Sequence, residues 1–195
     1  TRPRPDQDPV DPNGPFVGAN DGASGVALLM QLGQSMKSLD GKLGVDFVLF
    51  DGEEFIFSDR DEYFLGSTHF ANEYVAHPPG YSYKAGVLLD MVGDADLEIY
   101  QEGNSVDWPA ARSVVNSVWA TAKKLGVREF VPRVGVTVND DHLPLNRKAK
   151  IPTCDVIDFN YPYWHTRGDT ADKCSPLSLA KVGWVMTEWL KSASR

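Results

Sequence analysis

A chain of 195 residues is long enough to bury a sizeable core and short enough to be read as one domain. Hydrophobic residues make up 42% and charged residues 24%, which excludes a disordered chain, a collagen-like repeat and a disulfide-stapled mini-scaffold. Lys plus Arg total 19 against 27 Asp plus Glu, a net charge of −8, so the charge balance suits neither a phosphate backbone nor an anionic membrane surface. No nucleic-acid partner is expected, and no apolar run approaches the roughly 20 residues that cross a bilayer.

In chain order, residues 1–16 are rich in Pro, Asp and Asn, lack periodicity and read as an extended loop. Their opening, Thr1-Arg2-Pro3, has neither a signal-peptide pattern nor an initiating Met, which reads as a chain processed or incomplete at its N-terminus. An apolar stripe at Val26, Leu29, Met30 and Met36 predicts a helix ending near Gly41. Residues 45–50 (VDFVLF) read as a buried strand that runs into the turn Asp51-Gly52-Glu53-Glu54. A helix over 67–75 is stopped by His77-Pro78-Pro79-Gly80. Residues 85–91 and 97–100 read as strands, and 108–125 as a helix ending at Gly126. Further on come a strand at 134–138, a short helix at 143–149 and a strand at 152–158. A last amphipathic helix, 176–190, carries Leu179, Val182, Val185, Met186 and Trp189 on one side. Strands alternating with helices predict an α/β domain with a largely parallel sheet. With no internal repeat or linker, residues 1–195 form a single domain in this reading.

The acids fall at informative places. Asp21 precedes a helix, Asp51, Glu53 and Glu54 follow a strand, and Asp90 closes one. Asp140-Asp141-His142 follows a strand, and so does Trp164-His165. In parallel α/β sheets ligands bind beyond the carboxyl ends of strands, so these groups are expected to converge on one rim. Gathered carboxylates repel, and a cation relieves them; two carboxylates and an imidazole make a zinc shell with an open position. Each residue also has a plainer reading: Asp21 as a helix N-cap, Glu53-Glu54 as a solvated turn, His165 as a core histidine. Asp90 interrupts an apolar run, and a buried carboxylate needs a partner. His69 and His142 read as structural and His77 as exposed. Cys154 and Cys174 are the only cysteines, too few for a disulfide framework or a cysteine zinc site, and either one bridge or two free thiols fits them.

Taken in order, Asn20-Asp21-Gly22-Ala23-Ser24-Gly25, Phe50-Asp51-Gly52-Glu53-Glu54, Leu88-Leu89-Asp90-Met91-Val92-Gly93 and Trp164-His165-Thr166 with Asp169-Thr170 resemble the zinc exopeptidases of peptidase family twenty-eight. That family holds aminopeptidases and glutaminyl-peptide cyclotransferases. Three segments are similar to the cyclase branch: Glu62-Tyr63-Phe64-Leu65-Gly66-Ser67-Thr68-His69, Asn139-Asp140-Asp141-His142-Leu143-Pro144-Leu145, and Trp164 directly before His165. The resemblance implies a three-layer α/β sandwich, its mostly parallel mixed sheet covered by helices on both faces. It implies that Asp21, Glu54 and His165 bind one zinc ion, that Glu53 is the general acid/base, and that Asp90 and Asp140 are catalytic acids around it. Trp164 and Asp155 are implied to meet the substrate, Asp155 standing where the animal cyclases carry a histidine.

In the aminopeptidases a His-x-Asp motif serves a second metal. This chain begins as though just after it, so an upstream part with the sheet's first strands is expected to be missing. The activity implied first is cyclisation of N-terminal glutamine to pyroglutamate with loss of ammonia, on a peptide or a small amino-acid derivative. The alternatives are a two-metal aminopeptidase, if an upstream histidine exists, and a non-catalytic metal-binding module. The resemblance also implies an exported protein, periplasmic or secreted.

Overall fold

The computed structural model describes residues 6–36, 43–56, 58 and 60–193. In chain order the elements are α1 (Ala23–Ser35), α2 (Leu65–Ala76), β1 (Gly86–Asp90), β2 (Ile99–Gln101), α3 (Gly103–Asp107) and α4 (Pro109–Leu125). They continue with β3 (Phe130–Val134), α5 (His142–Pro144) running into a π-helical turn (Leu145–Ala149), β4 (Thr153–Ile157), a 3₁₀ turn (Ala171–Lys173) and α6 (Pro176–Ala193). The expected start at Thr1 and the expected helix end near Gly41 lie outside the described residues.

β1 and β4 pair in parallel, Leu88 opposite Asp155 and Asp90 opposite Ile157. β2 and β3 also pair in parallel, with an irregularity between Tyr100 and Gln101. One face is covered by α1, α4 and α6, whose Leu28, Leu32, Val115, Val118, Val182 and Val185 pack on Cys154 and Val156 of β4. On the other face α2 brings Ala71 against Leu145, Ala149 and Ile151. This is the layered α/β arrangement the strand–helix alternation implies, with apolar side chains of β4 feeding the larger core. α4 shows the local logic in full: Pro109 opens it, its apolar residues recur at helical spacing, and Gly126 closes it at φ 75.

Three expectations change. The buried face of α1 is Ser24, Gly25, Leu28 and Leu32, whereas Val26 and Met30 of the expected stripe are 38% and 64% exposed. Gly25 explains the shift, because a Cβ there would lie 2.2 Å from the Leu89 carbonyl oxygen. The helix meets β1 through its smallest residues, which an apolar stripe does not register. The strand expected at 134–138 lies at Phe130–Val134 instead. Pro132 discourages a strand there, but β3 uses it at low cost as an edge, and Phe130 is anchored edge-on against Trp119 with ring centroids 5.3 Å apart. Residues 45–50, expected as a buried strand, join no ladder among the described residues, and Phe47 and Leu49 are exposed. They face β1 across a cavity of about 1070 Å³ whose other walls include Leu29, Leu32, Met186, Phe70 and Ile151. Cys154 and Cys174 are both free thiols.

Candidate metal centre

Three loops carry the donors, each held by its own contacts. Asp169 is fully buried and accepts the backbone N–H groups of Asn20 at 2.9 Å and Asp21 at 3.1 Å, together with the Tyr161 hydroxyl at 2.7 Å. Asn20 in turn accepts the Gly93 N–H at 2.7 Å, and the Ser24 hydroxyl accepts that of Val92 at 3.1 Å. Asp21 is thereby fixed over the end of β1. The Glu53-Glu54 turn is fastened to the start of α2, where Phe64 and Leu65 donate their N–H groups to the carbonyls of Glu53 and Gly52. Gly52 adopts φ 70, a left-handed position that suits glycine. His165 lies in the loop after β4, its ring stacked on Trp164 with centroids 4.0 Å apart.

These loops bring Asp21, Glu54 and His165 together, one donor atom from each lying within 4.8 Å of the others. Asp21 Oδ2 is 3.6 Å from His165 Nε2, and Glu54 Oε1 is hydrogen-bonded to the same nitrogen. The three side chains are only 14%, 18% and 12% exposed. Burial, followed by the charges of Asp90 and Glu54, raises the Asp21 carboxyl well above its ordinary range. Burial alone would lower the His165 imidazole, but its hydrogen bond to Glu54 and that group's charge, its hydrogen bond to Asp6 and the Asp21 charge carry it up to about 9.

Glu53, Asp90 and Asp140 line the same cavity as Asp21 and Glu54, together with Trp164. Burial first, then the charges of Asp140, Glu54, Asp141 and Asp90, push Glu53 up to about 10. Asp90 and Asp140 are raised for the same reasons, burial first and neighbouring carboxylates second. Asp140 Oδ2 is buried with no hydrogen-bond partner. So many acids at one rim must hold protons or share a cation. Trp164 forms a wall, packed on Phe159 with ring centroids 5.0 Å apart.

Asp155 is set apart from this group. It does not border the cavity; it is fully buried on β4, with His142 Nδ1 3.7 Å from its carboxylate. The other nitrogen of that ring lies 3.3 Å from Glu102 Oε2, so Glu102, His142 and Asp155 form a buried row behind the acids. The register explains this placement, because Asp155 pairs with Leu88, one pleat short of the strand end that presents Asp90. Sequence reasoning overlooked Glu102, and it gave no position-specific task to Asp169 or Asp6. Asp169 lay inside a quoted motif, but its bonds to Asn20 and Asp21 span 149 and 148 positions, beyond any local pattern.

Residues 6–190 match the model of peptidase family M28, and the chain belongs to that family. It is similar to the glutaminyl cyclase of Fimbriiglobus ruber, whose crystal structure aligns at TM-score 0.90 and 40% identity over 98% of this chain and 67% of that one. A leucine aminopeptidase precursor from Bacteroides thetaiotaomicron aligns at TM-score 0.87 and 35% identity, over 98% of this chain and 68% of that one. The mouse glutaminyl-peptide cyclotransferase-like protein is 25% identical over 202 residues, covering 90% of this chain and 51% of the relative. The chain thus spans about half the length of that relative.

Proposed function

We propose that this protein is a zinc-dependent glutaminyl-peptide cyclotransferase that converts N-terminal glutamine to pyroglutamate and releases ammonia. The observation that carries the reading is the convergence of Asp21, Glu54 and His165 within 4.8 Å, with Glu53 next to them and outside the donor set. Two carboxylates and an imidazole suit zinc, and Asp21 Oδ2 is buried with no hydrogen-bond partner, an orphaned oxygen that a cation would satisfy. One zinc held by these three residues would supply Lewis-acid polarisation of the glutamine γ-carbonyl.

The chain's own groups do the rest. Glu53 takes a proton from the α-amine as its nitrogen attacks the γ-carbonyl carbon, and returns a proton to the departing amide nitrogen, which leaves as ammonia. Such a base needs a pKa lifted towards neutrality, which burial and neighbouring acids provide and a nearby cation moderates. Asp90 and Asp140 share protons with Glu53, so the titration belongs to the group. Trp164 offers the glutamine side chain an apolar wall. Residues 1–195 are read as one catalytic domain acting on peptides or small amino-acid derivatives. No helix among the described residues is long and apolar enough to cross a membrane, and on the family resemblance the activity belongs outside the cell or in the periplasm.

The likeness to a leucine aminopeptidase precursor favours a second reading, in which Asp90 serves a second metal and Glu53 activates water. One assay separates the two. Ammonia release from a peptide with N-terminal glutamine, and chromophore release from leucine p-nitroanilide, are measured before and after treatment with a chelator. The cyclase reading expects pyroglutamate and ammonia, lost by about 100-fold or more on chelation and restored by zinc. Leucine turnover without cyclisation would favour the aminopeptidase. Silence in both assays at full metal occupancy would leave a non-catalytic metal-binding module.

A further inference from the structure

His165 adopts φ 51, a left-handed conformation that a residue with a side chain keeps only where its surroundings over-determine it. Two consecutive residues of the irregular N-terminal segment hold it at both ends. The Gln7 N–H donates to the His165 carbonyl at 3.0 Å. The Asp6 carboxylate lies 2.7 Å from His165 Nδ1, across 159 positions of sequence. With Nδ1 committed to Asp6, Nε2 is the nitrogen left to face Asp21 and Glu54, as the 3.6 Å approach to Asp21 reflects.

The segment has its own anchorage. Asp8 accepts the N–H groups of Val10 and Asp11 at 2.9 Å and of Arg167 at 3.0 Å. Phe16 meets the His165 ring edge-on, with centroids 6.3 Å apart. Removing the Asp6 carboxylate, which is half exposed, therefore leaves the segment docked.

The geometry points to Asp6 as a positioning residue for the metal centre: its carboxylate fixes the tautomer and ring orientation of His165 and so sets how tightly the site holds zinc. This rests on the zinc reading of Asp21, Glu54 and His165. A carboxylate on the far nitrogen of a ligating histidine makes the imidazole a stronger donor and removes its rotational freedom, and loss of such a partner typically weakens metal affinity by about 10- to 100-fold.

The test measures zinc dissociation constants by chelator competition on the full-length protein, alongside thermal melting of the metal-free forms. Asp6→Ala should weaken zinc by about 10- to 100-fold while melting without metal stays at the parent temperature. Asp6→Asn, which keeps an acceptor but not the charge, should fall between Asp6→Ala and the parent. Parent-like zinc affinity in Asp6→Ala would overturn the role of Asp6 and leave the zinc reading standing. A loss of affinity matched by an equal loss of metal-free melting would also overturn it, since the contact would then be structural. A parent protein that binds no zinc would overturn both.

Discussion

Glu53 and Glu54 are adjacent in the chain, yet the fold gives them different surroundings. Glu54 reaches His165 Nε2, whereas Glu53 faces Asp140, Asp141 and Asp90 and is pushed up to about 10 by burial and their charges. Two neighbouring acids with separated environments can divide ligand and base between them. Glu53→Gln should therefore keep its zinc and lose about 10²- to 10⁴-fold in kcat, with KM little changed. Steady-state kinetics with a metal count check this, and an active, zinc-loaded variant would remove Glu53 from the reaction. At this scale the motifs were legible wherever a residue's task follows from its place at a strand end, as for Asp21, Glu54 and Asp90. Asp155 was not legible in the same way: its strand was expected, but one pleat separates a rim position from a buried one. Asp6 gave no signal, because its partner lies 159 residues away.

α3 shows how much an element can depend on one side chain. It has five residues, GNSVD, with no apolar stripe to announce it. Glu102 builds it by accepting the N–H groups of Asn104 at 2.8 Å and Ser105 at 2.7 Å, and it also holds the Val138 N–H at 2.9 Å. Burial opposes its charge, but His142 and these donors outweigh burial and bring Glu102 down from 4.5 to about 2. A lowered carboxyl contributes stability that is present above the unfolded pKa and lost as pH falls through the folded one. Glu102→Gln should then cost about 2–3 kcal/mol at neutral pH, since an amide meets donors with a donor of its own. The gap between variant and parent should narrow as pH falls from 4.5 towards about 2. Urea denaturation of both proteins across that range checks it, and a gap independent of pH would place the loss in packing alone. Elements with whole apolar stripes, α4 and α6, were plain from sequence. α1 was found but out of phase, because its contact with β1 runs through Gly25 and Ser24 rather than large side chains.

Across the whole molecule, a chain with a net charge of −8 gathers several of its acids at one rim between two helical layers. The layers were legible from the alternation of strands and helices, since elements such as α4 and α6 declare their own apolar faces. The rim was legible because parallel strands end on the same side. The setting of residues 45–50 was not: an apolar run predicts a buried strand, yet Phe47 and Leu49 are 39% and 62% exposed and the run joins no ladder among the described residues. On the zinc reading, the repulsion at this rim is relieved by a single ion at Asp21, Glu54 and His165. Crystals grown with zinc and measured on both sides of its absorption edge test this most directly. One anomalous peak is expected, about 2.0–2.2 Å from a carboxylate oxygen of Asp21, one of Glu54 and Nε2 of His165. Zinc held at other residues, or no peak among these three in protein that binds zinc in solution, would contradict it.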